Sequence, residues 1–133
     1  MARMEVITAV RARLAANWSA APVYDNNSQG STPEDASPFV ILQFPLANTE
    51  RWPVNQRYYV EEGAFRVVIH TQRGSGEDLA LQWSDQIADI FRDQTFAGVE
   101  CKVPSSPLLD DENDQGPYFA TSLVVPYVYR YTD

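Results

Sequence analysis

The chain is short of the residues that most protein chemistry uses. It has one cysteine, Cys101, and one histidine, His70. A single thiol excludes an internal disulfide and a cysteine-based zinc site. Cys101 shares its alternation with Val99 and Val103, so a buried, inert thiol is expected. His70 has no nucleophile or carboxylate set beside it by spacing, so it reads as a structural or surface residue and not as a general base. Lysine is almost missing: Lys102 is the one lysine among 10 basic residues, against 18 acidic ones, and the net charge is -8. Broad binding to a nucleic-acid duplex is thereby disfavoured, since phosphate contacts need clustered cations. An acidic wall can still border a path that DNA travels, because like charge prevents sticking. No stretch reaches the roughly 18 apolar residues of a membrane span, so no transmembrane helix is expected. The opening Met1-Ala2-Arg3-Met4-Glu5 has no long apolar core behind it, so a signal peptide is not expected either, and the expected compartment is a cytoplasm.

What is present is core. Of 133 residues, 44% are hydrophobic and 12% aromatic, enough for one globular domain over residues 1–133 and too few for two. The strongest signal runs from Glu62 to Arg92. Phe65, Val67 and Ile69 alternate with Arg66, Val68 and His70, the period of a half-buried strand. Gly74-Ser75-Gly76 breaks it, and Ser75 stands three residues before Asp78, the spacing of a helix cap. Leu79, Trp83, Ile87, Ile90 and Phe91 then fall on one stripe of a helix. Ala80, Ser84 and Ala88 lie beside that stripe and permit close approach to a sheet.

Residues 2–18 form a first helix by the same argument, with Ile7, Val10, Leu14 and Trp18 on one side and Arg3, Arg11 and Arg13 making it the most basic piece of the chain. Residues 22–37 are loop by composition, rich in Asn, Ser, Gly, Pro and Asp with almost nothing apolar after Tyr24. Residues 38–46 make an apolar strand, with Pro45 marking an edge or its end. A hairpin with an extended tip at 47–57 leads to a long strand through residues 57–72, with a bulge or bend expected at Gly63. Thr95–Gly98 reads as a turn, Val99–Val103 as a strand, and 104–116 as a second long loop. Pro117–Tyr131 is the most β-prone segment of all. The expected fold is a single α+β domain: a mostly antiparallel sheet of about four strands with two helices packed on it, in the order α-β-β-α-β-β.

Three further motifs have the composition of sites. Gly74-Ser75-Gly76 opens a helix but lacks a phosphate-binding lysine and is followed by Glu77-Asp78, so a turn and cap is expected. Asp110-Asp111-Glu112-Asn113-Asp114 resembles a calcium loop, yet the twelfth place counted from Asp111 is Ser122, where a bidentate glutamate is needed. A solvated acidic loop is the expectation, with no metal and no cofactor. Trp52 between Arg51 and Arg57 at the hairpin tip has the composition of an interface anchor, set against a tryptophan folded back on the core. The candidate interaction residues are therefore Arg51, Trp52, Arg57, Asp110, Asp111, Glu112 and Asp114. No catalytic constellation emerges, so the chain reads as something that binds or assembles and not as an enzyme.

Laid end to end, these patterns resemble the tail terminator proteins of long-tailed bacteriophages, the lambda-type minor tail proteins and their relatives. The resemblance covers most of the chain. It runs from Leu14-Ala15-Ala16 and Ala21-Pro22-Val23, through Pro38-Phe39, Gly63-x-Phe65-x-Val67-x-Ile69 and Gly74-x-Gly76, to Ala88-Asp89-Ile90-Phe91, Tyr118 and Val124-Val125-Pro126-Tyr127. The 24–37 and 110–114 segments depart from it. The resemblance implies a small subunit of a homo-oligomeric, hexameric ring in the virion. Such rings cap the head-proximal end of the tail tube, stop its polymerisation and offer a head-joining surface. DNA passes through the lumen without specific binding. Implied partners are the tail tube protein and the connector or neck proteins, with no membrane involved and assembly in the host cytoplasm. A head–tail connector or neck completion protein of the same machinery is the alternative. On this reading the 47–57 tip and the 104–116 loop meet neighbouring subunits or subunits of the tail tube.

Overall fold

The structure is a computed structural model and describes residues 3–25, 38–51, 58–72, 77–106, 108–110 and 118–132. Helix α1 (Met4–Asn17) is followed by strands β1 (Val23–Asp25), β2 (Phe39–Arg51) and β3 (Tyr58–Gln72). Helix α2 (Glu77–Phe91) comes next, then β4 (Thr95–Phe96), β5 (Val99–Cys101), β6 (Leu108–Asp110) and β7 (Tyr118–Thr132). The expected α-β-β-α-β-β order with about four antiparallel strands is corrected: the sheet has 7 strands, in spatial order β1-β2-β3-β7-β5-β4, with β6 also paired to β7. It is mixed, because β1 runs parallel to β2 with Val23 opposite Val40.

The three unanticipated strands are two or three residues long. They lie inside segments read as loops or turns: β1 within 22–37, β4 within 95–98 and β6 within 104–116. Segments so short show no period, and their pairing comes from the long strands beside them. After β5, the chain stays against β7: the Lys102 amide donates to the Pro126 carbonyl and the Ser105 amide to the Val124 carbonyl. The chain advances three residues while its partner advances two, so Val103-Pro104 form a bulge. Val103 is consequently 60% exposed and does not share the buried side with Val99 and Cys101. Pro126 fits inside a central strand because its missing N–H falls on the β5 side, where β5 ends, leaving the β3 ladder intact.

The bulge expected at Gly63 is on the partner strand instead. Gln43 faces Arg66 and Leu46 faces Ala64, so Phe44 and Pro45 together oppose Phe65. Pro45 is the reason: it has no N–H for the ladder, and a bulge absorbs that loss. Gly63 itself pairs regularly, with Ala47 on one side and Tyr127 on the other. The hairpin β4–β5 turns through Ala97 and Gly98, both at positive φ (48° and 84°), the geometry of a two-residue primed turn. A Cβ at Gly98 would lie 3.2 Å from the Tyr129 ring.

Both helices cover one face of the sheet. The core joins Val6, Val10 and Leu14 of α1 and Ala80, Trp83, Ile87 and Phe91 of α2 to Val40, Leu42, Phe65, Val67, Ile69, Leu123 and Val125 of the strands. The alternation of β3 thus points as its sequence implied. Ala80, Ser84 and Ala88 are buried, and these small side chains let α2 lie close to the sheet. Trp18 meets Trp83 edge-on at 5.3 Å between ring centroids, and its indole N–H donates to Gln86 Oε1 at 3.1 Å. The Arg13 side chain donates to the Ile90 carbonyl at 2.8 Å and lies over the Phe96 ring, fastening α1 to α2 and to the β4 edge.

Candidate interaction surface

The two stretches singled out by sequence sit at opposite ends of the sheet. Arg51 ends β2 opposite Tyr59, which pairs with Tyr131 near the end of β7. Asp110 ends β6 opposite Ala120, near the start of β7. At ~3.3 Å per strand residue, Ala120 and Tyr131 are about 36 Å apart. The described ends of the two stretches, Arg51 and Asp110, are therefore far apart within one chain. The side chains of Arg51 and Asp110 lie outside the described residues, as do Trp52, Arg57, Asp111, Glu112 and Asp114 altogether. The Gly74-Ser75-Gly76 cap lies there too.

His70 lies on the sheet face away from the helices, half-buried, its ring stacked on Phe39 at 4.5 Å and 7°. Burial pulls its pKa below the usual imidazole range. It borders a shallow depression of about 330 Å³ with Ile41, Arg66, Val68 and Ser122 among its walls. The Arg66 guanidinium donates to Gln43 Oε1 on the neighbouring strand, at 2.7 Å from Nε. Cys101 is 4% exposed, and desolvation pushes its thiol up to about 12, so it stays protonated and inert. Among the described residues no group of histidine, cysteine or carboxylate side chains could hold a metal ion.

One buried polar cluster was not anticipated. Glu61 is 1% exposed and faces the helices. The Tyr127 hydroxyl donates to its Oε2 at 2.7 Å, and the Arg3 amide donates to the same oxygen at 3.4 Å. The carboxylate thus sits at the start of α1, where unpaired amides and the helix dipole favour negative charge. Burial, and then the Glu61 hydrogen bond, raise the Tyr127 pKa. Arg3 completes the corner by lying over the Tyr131 ring, 4.0 Å from its centroid. The signal was in the alternation: Glu61 has the parity of Phe65, Val67 and Ile69. The cluster holds a helix in place and offers no nucleophile to a substrate.

The sequence profile of the phage tail terminator protein family matches residues 5–127. The chain belongs to the phage tail terminator family. That family is one of structural phage tail proteins. One solved structure, 20% identical, superposes with a TM-score of 0.64 over 100% of this chain and 99% of its own, which shows a shared fold alone. No curated protein matches the chain. Among the described residues of this terminator, both helices cover one face of the sheet and no helix covers the other.

Proposed function

We propose that this terminator forms a ring at the head-proximal end of the tail, caps the tail tube, stops its growth and provides the surface to which the head joins. The family match over residues 5–127 carries the reading. The shape is consistent with it. Candidate stretches that begin at opposite ends of one sheet, at Arg51 and Asp110, suit a subunit that touches a tube on one side and a neck on the other. Arg51 ends β2 and Asp110 ends β6, and the remaining candidates Trp52, Arg57, Asp111, Glu112 and Asp114 adjoin them in sequence. The net charge of -8 suits a subunit that borders passing DNA without holding it.

The decisive experiment is electron microscopy of phage that lacks this gene. Overlong tails are expected, with normal length restored by the gene in trans. Tails of normal length beside separate heads would instead indicate a connector or neck subunit. Trp52→Ala in the complementing copy is expected to weaken the rescue; full rescue would remove Trp52 from the contact.

A further inference from the structure

The two side edges of the sheet have complementary outlines. Strand β7 serves as a ruler, because β3 pairs with it in unbroken register and β2 pairs with β3. On one side, β1 covers β2 only over residues 40–42, level with 121–123 of β7. Above that, residues 47–51 of β2, level with 127–131, have no strand on their outer side among the described residues. On the other side the step is reversed. There β4 is outermost, level with Val128 and Tyr129, while at the level of 120–122 the outermost strand is β6, one place nearer to β7. One outline projects low and recedes high, and the other recedes low and projects high. Free edges are ordinarily guarded by proline, lysine or a bulge, and neither 47–51 nor Thr95–Phe96 has any of these.

The unpaired backbone groups fall at matching heights. Along a strand, successive residues turn their amide and carbonyl to opposite neighbours. The Val40 amide donates outward to the Pro22 carbonyl, so Ile41 and Gln43 turn toward β3, and past the Phe44-Pro45 bulge Leu46, Asn48 and Glu50 do. Ala47 and Thr49 therefore turn outward. On β4, the Gln94 carbonyl accepts the Cys101 amide, so Thr95 turns outward. Thr95 and Asn48 share the level of Val128. A parallel ladder seats an outward residue of one strand between two outward residues of the other, as Val40, opposite Val23, bonds Pro22 within this chain. Thr95 meets that condition between Ala47 and Thr49. The low step repeats the match. Pro22 faces β2, so Val23 faces outward. The Val124 carbonyl accepts the Ser105 amide, so Ser122 and Ala120 face β6, Leu108 and Asp110 answer them, and the Leu109 backbone faces outward. Val23 and Leu109 share the level of Thr121, the placement of a hydrogen-bonded antiparallel pair. Strands β1, β2, β4 and β7 run one way and β3, β5 and β6 the other, so β4 beside β2 is parallel and β6 beside β1 is antiparallel, as the two patterns require.

We propose that these two edges join between copies of the chain: β4 of one copy enters the recess beside β2 of the next, whose β1 enters the recess beside β6 of the first. Asn48 pairs with Glu62, next to buried Glu61, and Thr95 pairs with Glu100, between buried Val99 and Cys101, so both lie on the face away from the helices. The helices of neighbouring copies thus stay on one side of a continuous sheet. The contact joins two different patches. Repeated with a fixed rotation it closes into a ring, and in that respect the inference rests on the ring reading above. The closed band leaves neither edge unpaired.

Disulfide formation in the double variant Asn48→Cys with Thr95→Cys tests this. Both positions are exposed, and the native Cys101 is buried. Within one chain they stand four strand spacings apart, about 19 Å. A disulfide spans no more than about 7 Å between Cα atoms, so only a contact between copies can link them. Mild oxidation of concentrated protein and of assembled tails is expected to give a ladder of covalent multimers on a non-reducing denaturing gel. Either single variant is expected to stay monomeric. Dimers from a single variant would mean a two-fold contact and would overturn the proposal. Absence of cross-links in both preparations overturns it equally. A ring seen at the tail end by electron microscopy without cross-links removes the edge contact and leaves the ring reading standing; tails without a ring remove both. As a second arm, Thr95→Pro deletes the outward amide and spares the ladder with β5. It is expected to abolish multimers with circular dichroism unchanged, while Thr95→Ala, which keeps the amide, assembles like the native chain. Multimers that persist in Thr95→Pro would overturn the β4 contact.

Discussion

Cys101 is the plainest case of a residue whose surroundings decide its chemistry. Its thiol is raised to about 12 by burial alone, with the nearby Arg13 charge pulling weakly the other way. Native protein at pH 8 is therefore expected to react with a maleimide at least ~100-fold more slowly than urea-unfolded protein, in a labelling time course. The sign for stability follows: a raised folded pKa is harmless below the unfolded value and costs stability once pH rises above about 9. His70 behaves in the opposite sense. Its folded pKa is depressed, so above about pH 6.5 it costs nothing, and below that the unfolded chain takes the proton more readily. Melting temperature is expected to drop between pH 7 and 5, and less steeply in His70→Gln, as scanning calorimetry would record. Both residues were legible: each sits on the side of its strand that alternation assigned. Val103 was not, because a bulge of one residue reverses a side chain without changing the composition around it.

At the scale of elements, α2 was the most readable piece, since its stripe and its small-residue shoulder both follow from a period near 3.6. The position of α1 was not readable, because its anchor lies far along the chain at Glu61 and Tyr127. Tyr127→Phe removes a hydrogen bond to a buried carboxylate and is expected to cost about 1.5–3 kcal/mol by denaturant titration. An unchanged midpoint would mean that the Arg3 amide suffices to hold Glu61. The short strands escaped for a different reason. β1, β4 and β6 are made by neighbours that offer an edge, not by any propensity of their own. Parallel pairing of β1 with β2 is also incompatible with a tight turn, so a long connection inside a compact fold carried information that loop composition concealed.

For the molecule as a whole, the sequence conveyed an α+β class with two helices packed on a sheet and a family resemblance that the family match bears out, but not the 7-stranded mixed sheet. It did not convey that the two candidate contact stretches stand about 36 Å apart, since that distance depends on the shared register of β2, β3, β6 and β7. The core is a single cluster reaching from Val6 to Tyr127. A single cooperative heat-absorption peak is expected, with calorimetric and van't Hoff enthalpies equal; two resolved peaks would divide the fold.

The pairing of β3 with β7 has a mechanical corollary. Each strand is 15 residues long and the two run antiparallel in unbroken register from Tyr58 and Thr132 to Gln72 and Tyr118. Tension along the strands loads every rung of that ladder together, whereas tension across them peels the rungs one by one. A particle under internal pressure would meet a stiff subunit along the first direction and a compliant one along the second.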